Sequence, residues 1–306
     1  MHYGRFGFWY PTDRLDGAGL GELVRGAEAL GCSHLWYPES TGYESLALAG
    51  FLLSQSSRIA VGSSIANIYA RDPVTARNGR RTLAELSGGR VVLGLGVSHP
   101  PLVEGLRGHR YAGPVAAMRR YLEGIAAAAP DAANRNEGGV GAADGPPLDD
   151  PDRPVVIAAL GPRMLELAAE RCRGAIPYNV TPEHTERARA ILGPGRWLAV
   201  EQKICLLGDA EAARAAARKE LARYMTLDNY RNNWLRSGFG TEDMENGGSN
   251  RLMDAMVAWG SAGDVAARLR AHFDAGADQV CIQPIAAAGP PDWRALGAVV
   301  EAAGGP

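Results

Sequence analysis

The hydrophobic positions of this chain follow two alternating patterns. Short runs of β-branched and aromatic residues, typical of buried strands, alternate with longer Ala- and Leu-rich runs whose apolar residues recur every three or four positions. Eight short runs are found, at residues 3–8, 34–37, 58–65, 90–97, 155–159, 175–178, 197–206 and 279–283. Because strands alternating with helices indicate repeated βα units around a parallel sheet, the pattern predicts an α/β protein, specifically a (β/α)8 TIM barrel.

Glycines mark the ends of the predicted helices. The first helix presents Leu20, Leu23, Val24, Ala27 and Leu30 on one face. Gly31 follows this helix, and Gly88 and Gly89 follow a later helix directly before a strand. Glycine adopts positive φ without a steric penalty, so these glycines are predicted to end their helices.

The length of 306 residues fits one barrel, and we expect a single domain over residues 1–306. Two segments depart from the βα pattern. Residues 131–152 are rich in Gly, Pro, Asn and Asp and are predicted to form a mobile loop. Residues 237–250 are predicted to form an irregular insertion. Both are expected as insertion loops at the C-terminal face of the barrel.

Composition narrows the class of partner. A formal net charge of -2 gives no excess of positive charge to attract nucleic acid. The sequence contains no run of ~18 apolar residues, so no membrane-spanning helix is predicted. With no apolar signal core near the N-terminus, a cytoplasmic location is expected. The cysteines are far apart within apolar runs and are interpreted as buried thiols rather than metal ligands or disulfides. They are Cys32, Cys172, Cys205 and Cys281.

Familiar catalytic motifs are missing from the sequence. Residues 94–99 begin like a dinucleotide-binding loop, but a third glycine is lacking and Pro100 and Pro101 follow, so a Rossmann site is rejected. The six histidines are scattered, with no His-Glu-x-x-His pair for a metal, and no Gly-x-Ser-x-Gly elbow indicates a serine hydrolase. Candidate chemistry instead concentrates after the predicted strands, where a TIM barrel keeps its active site.

These strand ends carry a specific resemblance. The sequences at 35–39, 70–73, 85–97, 160–164 and 278–283 resemble the luciferase-like monooxygenase family over most of the chain. In overall texture the chain is most similar to the actinobacterial oxidoreductases that depend on the deazaflavin coenzyme F420. The resemblance implies a barrel whose mouth receives the tricyclic ring of F420, with FMN as the alternative cofactor.

The loop after the fifth predicted strand is the expected site for the phosphate of the cofactor. The resemblance assigns Gly161, Pro162, Arg163 and Met164 to cofactor binding. Physical reasoning agrees, because Gly161 and Pro162 open a helix whose free N–H groups and positive dipole end favour a phosphate. Arg163 would add charge. The alternative is an ordinary helix start with a surface arginine.

Two residues are candidates for acid–base catalysis. Glu39 matches an acidic position near the cofactor edge in the family and is predicted to act as general acid or base, unless it serves only as a capping or salt-bridged glutamate. His99 stands where deazaflavin sugar dehydrogenases of the superfamily carry a glutamate. It is predicted to donate a proton or to hydrogen-bond the ring, with a structural role as the alternative.

The resemblance also implies a cis peptide bond between Ser64 and Ile65, at a bulge behind the cofactor ring. Ser63, Ser64, Ile65 and Asn67 are therefore predicted cofactor-binding residues.

Further polar or aromatic residues lie at or near the strand ends. Trp9 and Tyr178 are predicted substrate contacts, although Trp9 could instead pack the barrel rim. Arg71 and Gln283 could also line the pocket. The orientation of Glu201, inside the seventh predicted strand, stays open.

The second predicted helix is apolar around much of its circumference, because it carries Leu46, Leu48, Ala49, Phe51, Leu52 and Leu53. A helix on the outside of a barrel needs only one apolar face, so the additional apolar surface predicts a homodimer through the second and third barrel helices. The leading functional hypothesis is hydride transfer between F420 and an organic substrate. Alternatives are an FMN-dependent monooxygenase and a non-catalytic flavin-binding barrel.

Overall fold

The computed structural model describes residues 3–127, 154–285 and 289–305; the loop predicted at 131–152 lies outside these ranges. The strands of the described residues form one twisted sheet. In chain order they are β1 (Phe6–Trp9), β2 (His34–Tyr37), β3 (Ala60–Ser63), β4 (Ala66–Asn67), β5 (Val91–Gly96), β6 (Val155–Ile157), β7 (Gly174–Ala175), β8 (Trp197–Cys205), β9 (Val257–Trp259) and β10 (Gln279–Pro284).

Eight of these strands close into a parallel barrel. The order is β1, β2, β3, β5, β6, β7, β8 and β10, and β10 pairs with both β8 and β1 to complete the ring. Phe6 is in register with Val280, and Ala199 with Gln279. Of the two remaining strands, β4 pairs with β5, and β9 pairs with β8. The predicted (β/α)8 TIM barrel is confirmed.

Helices surround the barrel and connect its strands. They are α1 (Gly17–Ala29), α2 (Ser45–Ser54), α3 (Pro73–Ser87), α4 (Pro114–Ala127), α5 (Pro162–Arg171), α6 (Pro182–Leu192), α7 (Ala210–Leu221), α8 (Asp228–Arg236), α9 (Asn250–Met256), α10 (Ala262–Asp274) and α11 (Trp293–Ala302). Between β8 and α10 the chain inserts α7, α8, α9 and β9. The segment 237–250, predicted to be irregular, contains the short 3-10 helix Glu242–Met244.

The ends of the helices follow the expected turn chemistry. Asp16 caps α1 by accepting a hydrogen bond from the backbone N–H of Gly19 at 2.9 Å, and Asp72 caps α3 in the same way. Gly31 has a φ of 85°, and Gly88 ends α3 in the left-handed region with a φ of 64°. The predicted glycine stops are therefore confirmed.

Two strand predictions needed correction. The third run does not continue unbroken to residue 65, because β3 ends at Ser63 and a cis peptide bond joins Ser64 to Ile65, as the resemblance implied. The sixth strand is β7, which spans Gly174–Ala175 rather than 175–178. Pro177 has no N–H to continue the ladder, which accounts for the early end.

The core has two layers. Apolar residues pack between the strands and the surrounding helices, and aromatic side chains including Trp36 and Trp197 fill the barrel interior. The indole of Trp36 donates to Gln279 Oε1 at 2.9 Å. All four cysteine side chains are buried thiols, as predicted. Across the part of the chain that the structure describes, no helix combines the length and apolar character needed to cross a membrane.

Candidate active site

A cleft of about 2070 Å³ opens at the C-terminal ends of the barrel strands. Its wall includes side chains that follow β1, β2, β3, β5 and β6 in turn, because parallel strands bring their carboxyl ends to one face. The volume exceeds the range of about 300 to 1000 Å³ of an ordinary ligand pocket.

The cleft brings together most of the residues that the sequence singled out. The lining includes Trp9, Glu39, Ser64, Ile65, His99, Gly161, Pro162, Arg163, Met164 and Tyr178. Within the described residues, Ser63 and Asn67 lie outside this lining. The Ser63 hydroxyl donates to the Gly94 carbonyl at 2.8 Å and accepts from the Gly94 N–H at 3.0 Å. Asn67 Oδ1 accepts from the N–H of Tyr69 at 2.9 Å. Both side chains thus hold the backbone behind the cleft.

Glycines in β5 allow the backbone to approach closely here. A Cβ on Gly94 would lie 1.9 Å from the Ser63 carbonyl oxygen, and a Cβ on Gly96 would lie 2.3 Å from Ile65 Cγ1. No other residue type fits either position without displacing its neighbour. The side chain of Ile65 therefore rests directly on β5 and presents an apolar surface to the cleft.

Glu39 is engaged by hydrogen-bond donors on several sides. Arg71 Nη2 pairs with Glu39 Oε1, and Arg71 Nη1 donates to Oε2 at 3.1 Å. The N–H of Asn67 donates to Oε2 at 2.7 Å, and the N–H of Ser45 to Oε1 at 3.4 Å. The side chains of Glu39 and Arg71 are only 3% and 5% exposed. This carboxylate therefore joins the loop after β2 to the segment after β3.

His99 is half-buried beside the inserted helix α8. Burial, and to a lesser extent the charge of Arg223, lower the pKa of His99 to about 4, against the opposing effect of a hydrogen bond with the side chain of Asn229. The imidazole is thus neutral at pH 7. In that state it presents one N–H donor and one ring-nitrogen acceptor to the cleft.

Helix α5 begins at the wall of the cleft without a side-chain cap. Gly161 occupies the N-cap position and Pro162 the first turn. Five cationic side chains line the cleft, namely Arg14, Arg163, Lys219, Arg223 and Arg236. Among the described residues, none of the five pairs with a carboxylate. Arg163 lies in the first turn of α5, and Arg236 Nη2 lies 3.5 Å from the position of a Cβ on Gly161, so the helix start and these two charges favour an anion there.

A continuous row of rings lines another part of the cleft. Trp9 contacts Tyr178 with ring centroids 5.0 Å apart, and Tyr178 contacts Tyr224 at 5.5 Å. Tyr224 contacts Tyr230 at 5.0 Å, and Tyr230 contacts His99 at 5.7 Å. The hydroxyls of Tyr178 and Tyr224 lie 3.1 Å apart. We call these five residues the aromatic row.

A buried ion pair lies beneath the aromatic row and settles the orientation of Glu201. Lys203 Nζ is 3.3 Å from Glu201 Oε1 and 3.3 Å from Gln283 Oε1. It also lies 3.8 Å from the centroid of the Tyr178 ring. Both charged side chains point into the barrel and are at most 1% exposed. Burial raises the pKa of Glu201 and lowers that of Lys203, while each charge opposes the shift of the other.

Sequence reasoning missed three side chains of the site, namely Lys203, Glu220 and Tyr224. Lys203 lies two residues after Glu201, so a strand places both on one face. Glu220 lies in the last turn of α7, and Tyr224 begins the 3-10 helix Tyr224–Thr226 just after it. The sequence did not indicate that the insertion between β8 and α10 lies over the cleft.

Comparison with known proteins identifies the family. The model of the luciferase-like monooxygenase family matches residues 4–279. The chain therefore belongs to this family.

Individual relatives share parts of the sequence or the whole fold. A protein of Mycobacterium tuberculosis named as a coenzyme F420-dependent oxidoreductase is 33% identical over 178 residues, which cover 53% of this chain and 51% of the relative. The chain spans about half the length of the curated relatives it matches.

Two solved structures share the fold. The coenzyme F420-dependent tetrahydromethanopterin reductase of Methanopyrus kandleri superposes with a TM-score of 0.70 at 20% identity, covering 97% of each chain. The oxygenating constituent of 3,6-diketocamphane monooxygenase from Pseudomonas putida, in complex with FMN, gives a TM-score of 0.68 at 15% identity and covers 97% of this chain and 96% of its own.

Proposed function

We propose that this protein is an oxidoreductase that transfers a hydride between coenzyme F420 and an organic substrate in the cleft. The observation that carries the proposal is the uncapped start of α5 beside Arg163 and Arg236, which lack a described carboxylate partner. A phosphate-bearing cofactor would supply a negative charge opposite Arg163 and Arg236. The name of the Mycobacterium tuberculosis relative favours F420 over FMN.

The residues of the cleft fit such a cofactor. The free N–H groups at the start of α5 and the guanidinium of Arg163 would hold the phosphate. Ile65, seated on Gly96, offers a flat apolar surface on which a tricyclic ring would rest. When bound, F420 supplies a carbon, C5 of the deazaflavin, that accepts or releases a hydride. The protein contributes orientation and exclusion of water.

Glu39 and His99 take different parts in this proposal. Glu39 is held by Arg71 and two backbone N–H groups, so we assign it a positioning role for the loops after β2 and β3. His99 is neutral at pH 7 and lines the cleft, so we assign it a hydrogen bond to the cofactor or substrate. Trp9 and Tyr178 would contact the substrate.

Binding titrations test the choice of cofactor. Calorimetric titration of F420 and of FMN into the protein should give a dissociation constant for F420 at least about tenfold below that for FMN, a difference of about 1.4 kcal/mol. Arg163→Ala should weaken F420 binding by about tenfold through loss of a charge-assisted contact. Arg171→Ala at the far end of α5 is the matched control and should change it by less than about twofold.

The reverse preference would contradict the choice of cofactor. Tighter binding of FMN would indicate an FMN-dependent monooxygenase instead. Equal affinity of Arg163→Ala and wild type would place the phosphate elsewhere.

We also propose a homodimer in the cytoplasm, formed through α2 and α3. Phe51 on α2 is 37% exposed, and on α3 Val74 and Leu86 are 50% and 81% exposed. Together they leave apolar surface on two neighbouring helices of the barrel.

A further inference from the structure

Glu220 is a carboxylate at the edge of the cleft that the proposed function does not use. It lies in the last turn of α7, is half-buried and lines the cleft with Tyr178 and Tyr224. Gln283 Nε2 donates to Glu220 Oε1 at 3.2 Å. Within the described residues, Glu220 Oε2 has no hydrogen-bond partner.

The orientation of Glu220 is fixed from inside the barrel. Lys203 Nζ donates to Gln283 Oε1, which turns the amide nitrogen of Gln283 toward Glu220. Lys203 is itself held by Glu201, whose Oε2 accepts from the N–H of Asn179 at 3.1 Å. This chain of contacts runs from the buried ion pair to the cleft. It leaves one carboxylate oxygen available for a ligand.

Two tyrosine hydroxyls line the same cleft as Glu220. Because Tyr178 and Tyr224 share one hydrogen bond at 3.1 Å, one of the two hydroxyls keeps a hydrogen for another acceptor. Burial, together with the charge of Glu220 and against a hydrogen bond with Tyr178, raises the pKa of Tyr224 to about 12. The hydroxyl therefore stays protonated at pH 7. A hydroxyl donor and a carboxylate acceptor in the lining of one cleft match an alcohol, whose oxygen both donates and accepts.

We infer that Glu220 is a catalytic residue that accepts the hydroxyl proton of an alcohol substrate, while the one free hydroxyl hydrogen of the Tyr178–Tyr224 pair is donated to the alcohol oxygen. The inference rests on the proposed function and adds the class of substrate. In the oxidation, the carbinol C–H bond breaks and its electron pair leaves with the hydrogen as hydride to the deazaflavin. The O–H bond breaks and its proton passes to Glu220 Oε2. The carbon and oxygen are left as a carbonyl, and the reverse reaction reduces a ketone.

The test combines turnover with binding. The F420-loaded protein is assayed with 2-propanol, 2-butanol and cyclohexanol, and binding of 2,2,2-trifluoroethanol is followed by fluorine NMR. Trifluoroethanol donates a hydrogen bond but resists loss of hydride, so its binding is a readout independent of turnover. The variants are Glu220→Gln, Glu220→Asp and the control Glu211→Gln, which lies on the exposed side of the same helix.

Wild type should oxidise at least one of these alcohols, and Glu220→Gln should lower kcat by about 100-fold or more, as expected for loss of a general base. Glu220→Asp should retain more activity than Glu220→Gln, because it keeps a proton acceptor. Trifluoroethanol should bind about threefold or more weakly to Glu220→Gln, because a neutral acceptor replaces a charged one. Glu211→Gln should match wild type in every assay.

Contrary results separate this inference from the choice of cofactor. If the protein binds F420 but oxidises none of the alcohols, the inference is overturned whatever trifluoroethanol does, and the F420 proposal stands. The inference is also overturned if Glu220→Gln oxidises the alcohol at the wild-type rate. If F420 does not bind at all, the proposed function fails, and this inference falls with it.

Discussion

Arg71 donates to both carboxylate oxygens of Glu39 and so joins the loop after β2 to the segment after β3. The pair is almost fully buried, and Arg71 reaches a second carboxylate in Glu44 at 2.6 Å. Sequence reasoning left open whether Glu39 acts in acid–base chemistry or in a salt bridge. The contacts favour the second role.

Replacing Glu39 with Gln should therefore destabilise the fold. The change leaves Arg71 with an incomplete set of partners, and we expect the free energy of unfolding in urea to fall by about 2 kcal/mol. Glu170→Gln is the control, because Glu170 pairs with Arg119 and Arg171 at the surface and should change stability by less than about 1 kcal/mol. A Glu39→Gln variant as stable as wild type, but inactive, would instead support the acid–base role.

Buried histidines should make stability depend on pH. Both ring nitrogens of His272 are engaged, by Thr185 Oγ1 at 2.8 Å and Gln202 Oε1 at 2.9 Å. Burial lowers the pKa of His272 to about 3, and burial lowers that of His184 to about 4. In the unfolded chain both histidines bind protons as the pH falls through about 6.5, whereas in the folded protein they stay neutral until about pH 4 or below. The folded state therefore loses stability as the pH falls below about 6.5.

The expected result is a loss of stability between about pH 6.5 and pH 4, on the order of 1 kcal/mol per pH unit for each histidine. Urea unfolding at several pH values measures the slope. His272→Gln should flatten it, whereas His109→Gln, at an exposed position, should leave it unchanged. A slope that is the same in His272→Gln and wild type would rule out His272 as its source.

The homodimer proposal concerns α2 and α3. Leu86→Asp and Phe51→Asp place a charge on apolar surface that a partner would bury, so light scattering should show the mass falling from dimer to monomer at micromolar concentration. Leu106→Asp is the control, because Leu106 is exposed at the end of the short π-helix Pro101–Leu106 that follows β5, and it belongs to neither α2 nor α3. A monomeric wild-type protein would contradict the proposal directly.

The sequence was most informative where local chemistry determines structure. The barrel, the glycine stops and the cis bond at Ser64 follow from periodicity, from positive φ and from the resemblance. The sequence could not indicate which strand-end residues face the cleft. Ser63 and Asn67 lie next to lining residues but turn their side chains to the backbone behind it.

Long-range contacts were the least accessible feature. Glu220 and Gln283 are 63 residues apart, and their hydrogen bond depends on how α7 packs over the barrel. Neither residue carries a local motif that predicts the other. The insertion between β8 and α10 supplies Glu220, Tyr224 and Tyr230 to the cleft, and its position follows from packing rather than from any pattern along the chain.

The most direct test of the central claim is a crystal structure of the protein grown with F420. We predict electron density for the tricyclic ring in the cleft against Ile65, with the phosphate of the cofactor at the start of α5 within hydrogen-bond distance of Arg163. Clear density for F420 outside the cleft, or for its phosphate away from α5, would contradict the account.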